Sequence, residues 1–172
     1  MAPWLWYFWI YSFFGWLVEL AFAAATQSEE RRRRCLLLLP LCPVYGIGML
    51  AALALPPMGT LGTVLWGGLA ATAAEYAYHW AGERFLGVWF WDYSKVPGNL
   101  RGRVCPPFTL AWGVLVWTAL RFVQPGAARL AADAPSWLTY ILLLVFTADA
   151  VCSLRFLRVT GDLREMRASG LL

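Results

Sequence analysis

Apolar residues run through this chain in five long blocks, at about residues 3–25, 36–55, 59–81, 107–123 and 136–156. The charged residues fall mostly between the blocks. Each block approaches the ~20 residues that a helix needs to cross ~30 Å of hydrocarbon. The pattern therefore predicts an all-α fold, a polytopic membrane bundle of five transmembrane helices. Pro56-Pro57 separates the second block from the third, and Pro125-Gly126 is expected to end the fourth. The connection at 84–105 is rich in aromatic residues, which favour the headgroup layer of a bilayer. A tail at 157–172 follows the last block, and its part at 161–172, which mixes acids and bases, is expected to be a short exposed helix or unstructured.

Composition narrows the class. The 172 residues are 60% hydrophobic and 14% charged, against about 25% charged in an ordinary soluble domain. A single transmembrane domain over 1–172 is expected, with no room for an ATP-binding domain and no Walker-type glycine loop. Any energy source is then a separate subunit or an ion gradient.

The placement of charge gives direction. Of the 14 lysines and arginines, those at 31–34, 84, 95, 101, 103, 155, 158, 164 and 167 share one side of a five-span chain. Only Arg121 and Arg129 fall on the other. The positive-inside rule then predicts an outer N-terminus and a cytoplasmic C-terminus, in a multi-pass protein of the cell inner (plasma) membrane. The same charges read as topology determinants touching anionic lipid rather than as a nucleic-acid surface. The first block has no basic residue before it and four arginines after it, the reverse of a cleaved signal peptide, so it is expected to be an uncleaved anchor.

Three blocks carry an acid: Glu19, Glu75 and Asp149. An Asp at the centre of an inserted helix costs about 2.5–3.5 kcal/mol, so a chain that keeps three such acids is expected to build a polar site from them. The predicted directions bring all three to similar depth in the cytoplasmic half, beside Tyr45 of the second block and the 84–105 loop. The candidate ligand-binding residues are therefore Glu19, Tyr45, Glu75, Asp92, Tyr93, Asn99 and Arg103. Arg103 is expected to pair with Glu75 or Asp92, because an embedded acid needs a partner. A loop merely pinned by tryptophans and neutralised by arginine is the plainer alternative.

Other features are weaker signals. Pro40 and Pro43, followed by Gly46 and Gly48, suit either a broken helix lining a cavity or a proline-initiated helix packed through glycines. Glu75, His79 and Glu83 recur every four residues and share a helical face, but they fall short of a zinc ligand set. No metal or cofactor is expected. The cysteines at 35, 42, 105 and 152 form no CxxC pair and read as reduced structural thiols.

Four stretches resemble the CmpB-like, type IV ABC-transporter permease family of small bacterial integral membrane proteins. They are Tyr11-Ser12-Phe13-Phe14-Gly15-Trp16-Leu17-Val18-Glu19, then Pro40-Leu41-Cys42-Pro43-Val44-Tyr45-Gly46, then Glu75-Tyr76 with Glu83-Arg84-Phe85. The last is Trp91-Asp92-Tyr93-Ser94 with Asn99 and Gly102-Arg103-Val104-Cys105. The likeness spans about residues 10–113. Leu39 and Pro106-Pro107 depart from the family pattern, and His79 and Asp149 lie outside its motifs. The resemblance implies a membrane transport or solute-binding subunit with a separate ATPase partner. No internal repeat is visible, so a homodimer is the expected source of any symmetry. Two other readings stay open: an intramembrane enzyme acting on a lipid or small amphipathic substrate, and a structural or regulatory membrane partner. No serine-histidine-acid or metalloprotease signature supports the enzyme.

Overall fold

The computed structural model of the chain describes residues 2–26 and 36–161. The arginines at 31–34, Cys35 and the tail after Gly161 lie outside the described residues. The described chain is helical, with one isolated antiparallel bridge between Leu100 and Val104. The helices are α1 (Ala2–Ala25), α2 (Pro43–Leu53), α3 (60–86), α4 (Pro106–Asp133) and α5 (Ser136–Thr160).

Proline and glycine set most of the boundaries. Cys42 is extended and Pro43 opens α2, where a missing N–H costs nothing. Pro106 opens α4 in the same way after the extended Cys105. Gly87 closes α3 in the left-handed region at φ 68°, which glycine adopts without a Cβ clash. Its N–H donates to the Glu83 carbonyl at 3.2 Å, and that of Val88 donates to Gly82 at 3.3 Å.

Two expected boundaries are corrected. The block at 36–55 is not one helix. Residues 36–42 are non-helical, and only the 11 residues of α2 coil, since Pro40 and Pro43 deny the ladder two donors within one turn. Pro125 does not end the fourth block, and α4 continues to Asp133 over 28 residues. A π-helical turn at Ala119–Val123 lies just ahead of that proline, and its wider spacing accommodates the lost donor and the crowding of the preceding turn.

Three helices, α1, α4 and α5, are long and apolar enough to cross a membrane. Helix α3 has the length, about 40 Å at ~1.5 Å per residue. Its final turns, with Glu75, His79, Glu83 and Arg84, make it less apolar. Helix α2, at about 16 Å, is too short to span alone. Over most of its length the exposed residues of α5 are apolar, among them Trp137, Tyr140, Leu144, Val151 and Val159.

Contacts between the helices show alternating directions. Phe22 near the end of α1 meets Phe108 near the start of α4, at 6.2 Å between ring centroids. Tyr11 donates to Gln124 Oε1 at 2.6 Å, toward the opposite ends of both helices. Helix α5 runs with α1, since Trp6 Nε1 donates to Thr139 Oγ1 at 3.0 Å and Phe8 meets Phe146 at 5.4 Å. The principal core cluster gathers Tyr11, Val44, Met49, Trp91, Trp112 and Val116.

Helices α3 and α4 touch backbone to backbone. A Cβ added to Gly68 would lie 2.9 Å from the Gly113 Cα, and one on Gly113 would strike the Val64 carbonyl oxygen. Small residues let helices approach in this way without a hydrophobic drive between them. Gly113→Ala is expected to destabilise the protein by about 1–3 kcal/mol through overpacking, read as a lower midpoint in thermal unfolding of the nanodisc-embedded chain. Gly126→Ala, where nothing lies within 4 Å, is the matched control and is expected to leave the midpoint unlowered.

Candidate functional site

The first wall of the site is built by α1 and α2. Gly15 and Glu19 are one turn apart on the same face of α1. Any side chain at Gly15 would collide with the Tyr45 ring, so the glycine gives the ring its place against the helix. The Tyr45 hydroxyl then reaches along that face and donates to Glu19 Oε1 at 2.9 Å.

Tyr45 is placed in turn by the non-helical segment at 36–42, three of whose backbone donors find partners on other helices. The Cys42 N–H donates to the Ser12 carbonyl of α1 at 2.8 Å. Leu39 N–H donates to Asp149 Oδ2 and Leu38 N–H to Ser153 Oγ, both at 3.3 Å. Asp149 and Ser153 are one turn apart on α5 and so present both acceptors to the same stretch of chain. Asp149 thus serves the broken segment and does not join Glu19 and Glu75, contrary to the convergence of three acids expected from depth.

Glu75 of α3 forms the second wall. It is buried, with 5% of its surface exposed, and both oxygens are engaged. Trp112 Nε1 of α4 donates to Oε2 at 2.9 Å, and the Tyr93 hydroxyl donates to Oε1 at 3.3 Å. The Tyr45 and Trp112 rings are 4.8 Å apart, so the two carboxylates are connected by adjoining aromatic side chains. Between them lies a cavity of about 170 Å³ lined by Glu19, Tyr45, Glu75, Tyr93, Trp91 and Trp112, among others. Phe22 and Phe108 complete its aromatic lining.

The loop at 87–105 carries the remaining candidates. Asp92 accepts from the Ser94 N–H at 2.8 Å and from the Ser94 hydroxyl at 3.0 Å. These bonds, the backbone one first, hold its pKa below the usual carboxylate value. Asn99 Nδ2 donates to the carbonyls of Ser94 and Val96, at 3.1 and 2.8 Å, and Oδ1 accepts from Gly102 N–H at 2.9 Å. Positive φ at Gly98, Arg101 and Gly102 turns the chain back so that Tyr93 N–H reaches the Gly102 carbonyl at 2.8 Å. Asp92 and Asn99 therefore fold the loop that delivers Tyr93, and neither lines the cavity.

Arg103 does not pair with Glu75 or Asp92. Its Nε and Nη2 donate to Glu83 Oε2 at 3.0 and 2.7 Å, and Nη1 donates to the Tyr76 hydroxyl at 2.6 Å. Its guanidinium carbon also lies 5.0 Å from the Tyr76 ring centroid. Tyr76 and Glu83 are two turns apart on one face of α3, so the arginine clamps the loop to that helix. The bonds to Glu83, chief among the causes, raise its pKa above the ordinary arginine value. His79 makes a second clamp from inside, with Nε2–H donating to the Trp91 carbonyl at 2.8 Å and its ring edge-on to Trp91 at 5.0 Å. Among the described residues, no three His, Cys, Asp or Glu side chains gather as a metal set.

Trp112, the nearer of the two donors to Glu75, is not among the sequence's candidates, although an indole N–H in an apolar helix must find an acceptor. Nor is the pair of Glu83 and Arg103, although the spacing of Tyr76 and Glu83 places both on one helical face.

A double-mutant cycle checks this clamp. Arg103→Gln and Glu83→Gln are expected to lower the thermal midpoint non-additively, because either change breaks the same pair. Arg103→Gln and Asp92→Asn, whose hydrogen-bond partners differ, are expected to combine additively. Coupling between Arg103 and Asp92 with none between Arg103 and Glu83 is the result that would refute the assignment.

The model of the family described as "Putative ABC-transporter type IV" matches residues 6–154. The match runs beyond the 10–113 stretch that carries the motifs, and it includes both walls of the cavity. No curated protein and no solved structure matches the chain. With most of its length covered by that model, and three helices fit to cross a bilayer, this membrane protein belongs to the ABC-transporter type IV (CmpB) family.

Proposed function

We propose that this chain is a membrane transport or solute-binding subunit of ABC-permease type, and that the cavity between Glu19 and Glu75 is its solute pocket. The observation that carries the reading is the joining of two carboxylates from different helices, with the Tyr45, Tyr93 and Trp112 donors, around one cavity. Ligand pockets combine apolar and aromatic walls with a few placed polar groups in this way. Asp92, Asn99 and Arg103 act on the pocket through the loop they fold and clamp, which bears Trp91 and Tyr93. Family membership supports the transport side of the reading, with a separate ATPase subunit as the energy source.

In this reading the chain is one transmembrane domain in the inner membrane, threaded five times with the N-terminus outside. Helix α3 crosses with its polar end at the interface. The segment at 36–42 and α2 together make the short second crossing, and the pocket opens toward the cytoplasm. The alternating helix directions and the burial of broken backbone against α1 and α5 support such a crossing. Single cysteines introduced at Gly126 and at Lys95, in a background with Cys35, Cys42, Cys105 and Cys152 replaced, test the topology. A membrane-impermeant maleimide applied to intact cells is expected to label position 126 and to spare position 95. The reverse pattern inverts the chain, and labelling of both removes the five-span threading.

Experimental maps of the wild type and Glu75→Gln in lipid nanodiscs test the pocket. Glu75→Gln keeps the side-chain shape and removes the charge. Non-protein density between Glu19 and Glu75 in the wild type, absent from a folded Glu75→Gln protein, is the expected result. A collapsed cavity without density in either protein would sink the solute-binding reading and leave the carboxylates as scaffolding.

A further inference from the structure

We infer that the ligand of this cavity is a small, fully alkylated ammonium cation of about six non-hydrogen atoms. The inference rests on the solute-binding reading above and names its ligand class. Size is the first constraint, since about 170 Å³ is close to the ~150 Å³ of a dry cavity that holds benzene. A nucleotide, a disaccharide or a whole lipid could not lie wholly within this cavity.

Charge and hydrogen-bonding capacity narrow the class further. No lysine or arginine lines the cavity among the described residues, while two glutamates do, which favours a cation over an anion. Hard metal ions are poorly matched. Calcium takes six to eight oxygen ligands, whereas the side-chain oxygens here come from two carboxylates and two phenols, with aromatic carbon filling much of the remaining wall. A polyol is also less well matched, because its hydroxyl oxygens call for donors as well as acceptors and the Tyr45, Tyr93 and Trp112 donors are already given to the carboxylates. Glu75 accepts from Trp112 and Tyr93, and the Tyr45 hydroxyl donates to Glu19.

An ion with charge but no N–H or O–H to satisfy fits that wall. Its attraction comes from the carboxylates through space and from the negative faces of aromatic rings, the chemistry by which quaternary ammonium groups are recognised. Six rings line the cavity, those of Phe22, Tyr45, Trp91, Tyr93, Phe108 and Trp112. Tyr45 lies 4.8 Å from Trp112, and Tyr93 stacks on Phe108 at 4.7 Å.

Calorimetric titration of the full chain in nanodiscs of neutral lipid tests the inference. The probes are tetramethylammonium chloride, methylammonium chloride, tert-butanol as a neutral isostere, glycerol and calcium chloride. Tetramethylammonium is expected to bind at least about tenfold more tightly than each of the others. Phe108→Leu, which keeps apolar volume and removes a ring, and Glu75→Gln are each expected to weaken it by about tenfold. The selectivity series on the wild type needs no variant to fold.

Equal affinity for methylammonium or tert-butanol, or no binding of tetramethylammonium, overturns the inference. So does unchanged binding in a folded Phe108→Leu protein. Glu75-dependent binding of glycerol or calcium without tetramethylammonium overturns the ligand class and leaves the solute pocket standing. Absence of tetramethylammonium binding together with the collapsed, density-free cavity of the nanodisc maps overturns both.

Discussion

The Glu75 carboxylate is the constraint around which the bundle is arranged. A carboxylate nearly closed to solvent is tolerated only where donors meet it, and here the donors come from two separate pieces of chain. Trp112 arrives from α4 and Tyr93 from the loop. A hydrogen bond to a charged group contributes about 1.5–3 kcal/mol, comparable with the insertion cost of one embedded acid. Satisfying Glu75 therefore fixes the rotation of α3 against α4, where glycine-to-glycine contact brings the backbones together. It also fixes the loop above them.

The loop is held to α3 by its own means. Arg103 bonds to Glu83 and Tyr76 on one face, and His79 holds the Trp91 carbonyl from within. Asp92 and Asn99 turn the intervening chain upon itself. Several polar residues that look like a binding constellation are thus occupied in presenting two aromatic side chains, Trp91 and Tyr93, to the cavity. A loop built this way keeps its geometry without adding charge to the cavity wall.

A second dependency runs through the non-helical segment before α2. Helix α2 is short because its prolines interrupt the ladder, and the exposed backbone donors are met by Ser12, Asp149 and Ser153. Those bonds tie α1 and α5 to the point where Tyr45 enters the core. The acid on α5 consequently organises the backbone that positions Tyr45, which meets Glu19, and remains outside the cavity itself.

The class of the protein is legible in its sequence. Its continuous apolar blocks of about 20 residues point to membrane helices, because backbone in hydrocarbon must satisfy itself and a barrel strand would be about half as long. Its motifs fix the family, and its acids mark Glu19 and Glu75 as groups needing partners. Helical periodicity also put Tyr76 and Glu83 on one face. The tertiary structure alone decided which partner each acid found. Depth along a helix says nothing of rotation about its axis, so the neighbours of Asp149 and Arg103 could not be read from an expected height alone. It also decided that Pro125 is carried within α4 while Pro40 and Pro43 cut the second block. A proline's effect depends on whether the freed backbone groups meet a widened turn or another helix, and that is a property of the packed bundle.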